Sequence, residues 1–103
     1  MTFIKQVEAH FKEGRRDEGA KKIQDFYSGL IGKIKGLNGF IMTGSLDDSQ
    51  KTVNISIWET QEDMNDYYTN NEDYKSFVES LNPLFQQGVK KRDYKVYNLN
   101  MRK

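Results

Sequence analysis

At 103 residues, with 36 per cent hydrophobic and 30 per cent charged side chains, the chain has the length of one domain, residues 1–103, and little apolar material to bury alone. Sixteen basic residues against fifteen acidic ones leave a formal charge of +1, which supplies no field to gather nucleic acid or an anionic membrane. The absence of cysteine removes disulfides, thiolate metal sites and cysteine nucleophiles.

Lys5 interrupts the only early apolar run, so no signal peptide is expected, and no stretch approaches the ~20 apolar residues of a membrane span. A cytoplasmic protein is expected. Phe3 to Phe11 alternates, with Phe3, Val7, Ala9 and Phe11 on one side and Ile4, Gln6, Glu8 and His10 on the other. This reads as a first strand ending near Gly14.

Between Arg16 and Lys33, Ala20, Ile23, Phe26, Tyr27, Leu30 and Ile31 recur at helical spacing, and Gly36 and Gly39 bracket the exit from that helix. A strand is expected from Phe40 to Leu46, a turn through Asp47, Asp48, Ser49 and Gln50, and a second strand from Thr52 to Glu59, the two forming an antiparallel hairpin. The centre of the second strand, Asn54-Ile55-Ser56-Ile57-Trp58, puts aliphatics on one face and an amide, a hydroxyl and the single tryptophan on the other.

Thr60 offers an N-cap hydroxyl with Asp63 three residues on, and Met64, Tyr67 and Tyr68 begin a second helical segment. Asn70-Asn71 interrupts it. Tyr74, Phe77, Val78, Leu81 and Phe85 resume the stripe until Asn82-Pro83 disfavours helix. A last strand is expected from Asp93 to Met101. The basic runs Lys21-Lys22 and Lys90-Lys91-Arg92 read as solvated surface, the second leading into that strand.

The order strand, helix, strand, strand, helix, strand suits an α+β ferredoxin-like βαββαβ domain with a four-stranded antiparallel sheet and both helices on one face. Every strand carries apolar or aromatic residues in both phases. A second copy is therefore expected to cover the open face, giving a homodimer.

Gly36-Leu37-Asn38-Gly39-Phe40, the hairpin, then Val53 to Thr60 followed by Glu62-Asp63-Met64 and tyrosines, resembles the antibiotic biosynthesis monooxygenase family of dimeric α+β barrels. The resemblance implies a homodimer whose sheets face each other as a barrel, with a pocket between each sheet and its own helices. In the family's quinone-forming oxygenases, which need no cofactor, an asparagine and a tryptophan four residues apart on the third strand line that pocket, assisted by a tyrosine and an arginine. Asn54 and Trp58 match the pair in spacing and position. Met64 stands where the tyrosine is expected, Tyr67 follows it on the same helix, and no arginine lies between Arg16 and Arg92.

The catalytic candidates are thus Asn54, Trp58 and His10, the last because an imidazole titrates near neutrality. Trp58 serves either as a core tryptophan or as a pocket wall whose indole N–H donates to a ligand. Tyr67, Tyr74 and Met64 are the expected substrate contacts. No metal and no cofactor are expected, since no ligand motif surrounds His10.

The haem-degrading branch places asparagine, tryptophan and histidine where this chain has Val7, Tyr67 and the Tyr74 to Val78 stretch, so haem degradation is not expected. Neither is RNA binding, because Thr52 to Trp58 lacks a basic glycine-aromatic run. The expected function is cofactor-independent monooxygenation of a small aromatic or polyketide-like substrate. The alternative is a non-enzymatic small-molecule-binding or stress-associated dimer.

Overall fold

The computed structural model describes residues 1–102. Its elements are β1 (Thr2–His10), α1 (Arg16–Ser28), β2 (Leu37–Gly44), β3 (Lys51–Trp58), α2 (Gln61–Asn70), α3 (Glu72–Leu81), a 3-10 turn (Asn82–Leu84) and β4 (Lys90–Val96). The strands form one antiparallel sheet in the order β2-β3-β1-β4, the ferredoxin-like arrangement.

Alternation decides which face is covered. Lys5, Val7 and Ala9 of β1, with Phe11 just beyond it, are buried, as are Thr52, Asn54, Ser56 and Trp58 of β3. These residues meet Ile23 and Tyr27 of α1, Met64 and Tyr67 of α2, and Tyr74 and Leu81 of α3. The opposite phase, Ile4, Val53, Ile55 and Ile57, is only half-buried, and its flanking Ile41 and Tyr94 remain 47% and 44% exposed.

Two local devices fix the helices. Thr60 Oγ1 accepts the Asp63 N–H at 3.0 Å and starts α2; Asn71 Oδ1 accepts the Tyr74 N–H at 2.8 Å and starts α3, so the Asn70-Asn71 break is a cap rather than a gap. At the entrance to β2, Gly36 has φ +84, and a Cβ there would stand 2.5 Å from Asp63 Oδ2. Only glycine lets the chain turn so close to α2.

Three expected boundaries move. α1 stops at Ser28 instead of reaching Lys33, because Gly29 and Gly32, the latter at φ +87, weaken the helix and the chain continues in turns. β2 ends at Gly44, since Ser45 Oγ accepts the N–H groups of Asp47 and Asp48, both at 3.1 Å, and so closes the turn early, leaving Leu46 fully exposed. β4 runs from Lys90 to Val96 rather than Asp93 to Met101. Val96 pairs with Thr2 at the very start of β1, so beyond it there is no partner strand, and Tyr97, Leu99 and Met101 are exposed.

Candidate functional site

Between the helices and the sheet lies a cavity of ≈ 40 Å³. Val7, Ala9 and Asn54 form its floor, Ile23 and Tyr27 of α1 one wall, and Tyr74, Phe77, Val78 and Leu81 of α3 the other. Phe85, Val89 and Lys91 complete it. This volume takes one to about three waters and no aromatic ring, since a benzene site measures roughly 150 Å³. Phe77, Val78 and Phe85, all half-buried, are the side chains whose displacement would widen it.

The lining is apolar apart from a few groups. Asn54 is 4% exposed, and its side-chain Oδ1 accepts no hydrogen bond. A buried carbonyl without a partner costs ~1–3 kcal/mol. Thr52 Oγ1 and the Tyr67 hydroxyl are buried without partners too, and of the three residues only Asn54 lines the cavity. Lys91 is exposed at the rim, with Nζ 5.5 Å from the centre of the Tyr74 ring.

Behind the cavity runs a polar chain. The Trp58 indole N–H donates to Ser56 Oγ at 2.8 Å, Ser56 Oγ lies 2.7 Å from the Tyr68 hydroxyl, and that hydroxyl lies 2.8 Å from the Tyr27 hydroxyl. Four hydrogens serve three bonds, so one is left over. On Ser56, which is 0% exposed, the spare hydrogen would be buried without an acceptor, whereas Tyr27 borders the cavity. The spare hydrogen thus rests on Tyr68 or on Tyr27, and of the two only Tyr27 borders the cavity.

The phenols are held neutral. Burial pushes Tyr27 well above its ordinary value, and the Tyr68 and Tyr74 phenols up to about 12. For Tyr68 the hydrogen bonds with Ser56 and Tyr27 oppose the effect of burial. Near neutrality these tyrosines donate hydrogen bonds and do not act as bases. Beside them Lys5, 8% exposed, pairs with Asp93 at 2.6 Å and stands 4.9 Å from the Tyr68 ring centre.

The residues singled out in the sequence separate into groups. Asn54 and Tyr74 meet at the cavity. Met64 and Trp58 pack in the core behind it at 1% and 0% exposure, and the Trp58 N–H thought available to a ligand is committed to Ser56. Tyr67 lies against Trp58 with ring centres 5.5 Å apart; its buried hydroxyl has no partner, and burial raises its pKa.

His10 is not near these groups. Its strand phase turns it to the open face of the sheet, where Nε2 lies 3.5 Å from Asp48 Oδ2 and Nδ1 lies 3.3 Å from Gln87 Nε2. Among the described residues, no three His, Cys, Asp or Glu side chains cluster as a metal site requires, and no helix is long and apolar enough to cross a membrane. Tyr27 and Lys91 are site residues that sequence reasoning passed over. The signal for Lys91 was its phase: two and four residues before Asp93 and Lys95 respectively, it faces the helices, opposite to Tyr94 and Val96.

The fold and the cavity beneath its helices define a ferredoxin-like α+β domain with a small, largely apolar cavity on the covered sheet face. The family model for antibiotic biosynthesis monooxygenase matches residues 2–80, and the chain belongs to that family. No curated protein matches the sequence.

Among solved structures, a candidate antibiotic biosynthesis monooxygenase from Bordetella bronchiseptica superposes with a TM-score of 0.81 at 12% identity, covering 94% of this chain and 98% of its own. One from Nitrosomonas europaea gives 0.80 at 14% identity, covering 93% and 90%. One from Deinococcus radiodurans gives 0.80 at 10%, covering 98% and 99%. At such identities these similarities establish the fold alone.

Proposed function

We propose that this protein binds a small phenolic aromatic between α3 and the sheet and oxygenates it, with the substrate's own anion as the reductant of O₂. The Asn54 amide, the one carboxamide in the cavity lining, carries the reading. It accepts the substrate hydroxyl before ionisation and, turned about its terminal bond, donates N–H to the oxyanion afterwards. Tyr27, in the arrangement where Tyr68 donates to it, is the second donor.

The chemistry balances with O₂ alone. The phenol releases its proton to cavity water, and the phenolate passes one electron to O₂. The resulting radicals join through a C–O bond at a ring carbon, and loss of that carbon's proton breaks the O–O bond to leave quinone and water. The chain's residues bind, hold the anion and exclude bulk water. In this account Trp58 and Ser56 orient Tyr68 and Tyr27, Met64 and Tyr67 support that layer, and His10 takes no part.

Oxygen uptake with a panel of naphthols, followed together with quinone absorbance, tests the reading. One O₂ consumed per quinone formed, abolished in Asn54→Leu, is the expected result. Ligand binding without oxygen uptake would defeat the oxygenase assignment. A second reading, ligand binding without turnover, draws on one observation: the titratable groups of the lining are phenols and one lysine, with no carboxylate or imidazole to serve as base.

We further propose a homodimer through the open sheet face. Ile4, Ile55 and Ile57 at its centre, with Ile41 and Tyr94 beside them, make an apolar surface that no element of the same chain covers.

A further inference from the structure

One row of residues crosses the sheet at the cavity floor. Val7 of β1 is paired with Asn54 of β3 on one side and with Lys91 of β4 on the other. Neighbouring strands stand ~4.8 Å apart, so Asn54 and Lys91 are separated by ~9.6 Å of backbone, with only the Val7 side chain between them. The two ends of the row are opposite in character. Asn54 is buried and brings a neutral amide to the lining, whereas Lys91 is exposed and carries a positive charge.

Lys91 also lacks the counter-ion its surroundings could have offered. The nearest acids along the strands are engaged elsewhere: Asp93 holds Lys5 at 2.6 Å, and Glu8 holds Lys51 at 3.3 Å. The ammonium instead stands 5.5 Å from the centre of the Tyr74 ring, which is itself a cavity wall. A charge poised over the rim of an apolar cavity rejects cationic ligands and draws anionic ones.

From this row we infer that the cavity's ligand is an aromatic hydroxy acid, whose hydroxyl donates to Asn54 at the closed end and whose carboxylate meets Lys91 at the mouth. The inference rests on the cavity being a ligand site, and it adds the ligand's charge and its polarity along one axis. A single ring with its two groups para to one another runs along the row once Phe77, Val78 and Phe85 move aside to widen the ≈ 40 Å³ cavity. Lys91 is then a specificity-determining residue that selects the acid over the neutral phenol.

Calorimetric titration with para-hydroxybenzoate, phenol and benzoate, against wild type, Lys91→Gln, Lys91→Arg and Asn54→Leu, tests it. A hydrogen bond to a charged group supports an expected preference of about tenfold for para-hydroxybenzoate over phenol in the wild type. Lys91→Gln should erase that preference, Lys91→Arg should keep it, and Asn54→Leu should lose the advantage of para-hydroxybenzoate over benzoate. Equal binding of phenol and para-hydroxybenzoate, or a preference that survives Lys91→Gln, overturns the charge assignment and leaves the cavity a ligand site. Failure of the wild type to bind any of the three overturns both. Lys91 is exposed, so its variants should fold as the wild type does, and thermal melting confirms that before titration.

Discussion

Replacing Asn54 by leucine should make the unliganded protein more stable while depriving it of its ligand. Leucine branches at the same carbon as asparagine and is bulkier, so it fills part of the ≈ 40 Å³ cavity and no packing is lost. What disappears is a buried carbonyl with no partner, a burden of ~1–3 kcal/mol in a dry site. The ≈ 40 Å³ cavity has room for water that would relieve part of this, so the lower figure applies. A gain of about 1 kcal/mol in a domain of this size raises Tm by ~4–8 °C. Differential scanning calorimetry of both proteins without ligand gives the comparison, and para-hydroxybenzoate titration gives the functional half. A fall in Tm of several degrees would refute the reasoning, because it would mean that the amide is a satisfied structural group. A site that holds an unpaired acceptor in reserve gives up stability for binding, and the variant reverses that exchange.

Ser56→Ala leaves the buried Trp58 N–H without an acceptor, which should destabilise by ~1–3 kcal/mol and shift the Trp58 emission; chemical denaturation followed by fluorescence measures both. Gly19→Ala should cost ~1–3 kcal/mol, because a Cβ at that position overlaps the Phe11 ring just beyond β1, and urea unfolding reads the loss. The buried phenols Tyr68 and Tyr74, raised from 10 to about 12, hold more protons folded than unfolded. Their contribution is therefore complete below pH 10 and lost as pH climbs from 10 towards 12, and an alkaline melting series with no such decline would contradict their burial. Ile55→Lys, on the open face, should convert a dimer to a monomer in sedimentation velocity; an unchanged sedimentation coefficient would place the contact elsewhere.

The phase of β3 was legible because period-two alternation is a property of neighbouring residues, and it put Asn54 and Trp58 on the covered face before any partner strand was known. The cap at Thr60 was legible for the same reason, acting within three residues of itself, whereas Asn71 read as a break until its side chain was seen to accept the Tyr74 N–H. The task of Trp58 was not. Its N–H could be assigned only once Tyr68, from another element, had drawn Ser56 into the same chain of hydrogen bonds. His10 shows a different limit. Its alternation already set it apart from Val7 and Ala9, but its pKa drew attention that its face did not support. Lys91 was hidden by company, since a run of three basic residues looks like solvated surface until pairing with β1 divides it between two faces.

β1 is synthesised first and ends in the middle of the sheet, joined to Lys51–Trp58 on one side and Lys90–Val96 on the other. Both pairings span long stretches of chain, which slows folding relative to a helical bundle of the same size. A nascent chain that has released β3 but not yet β4 carries β1 with one edge hydrogen-bonded and the other bare. That edge is a template for strand addition by another chain. The interval before the final strand emerges is thus when this protein is most prone to aggregate, and a chaperone that shields extended segments would act on it then.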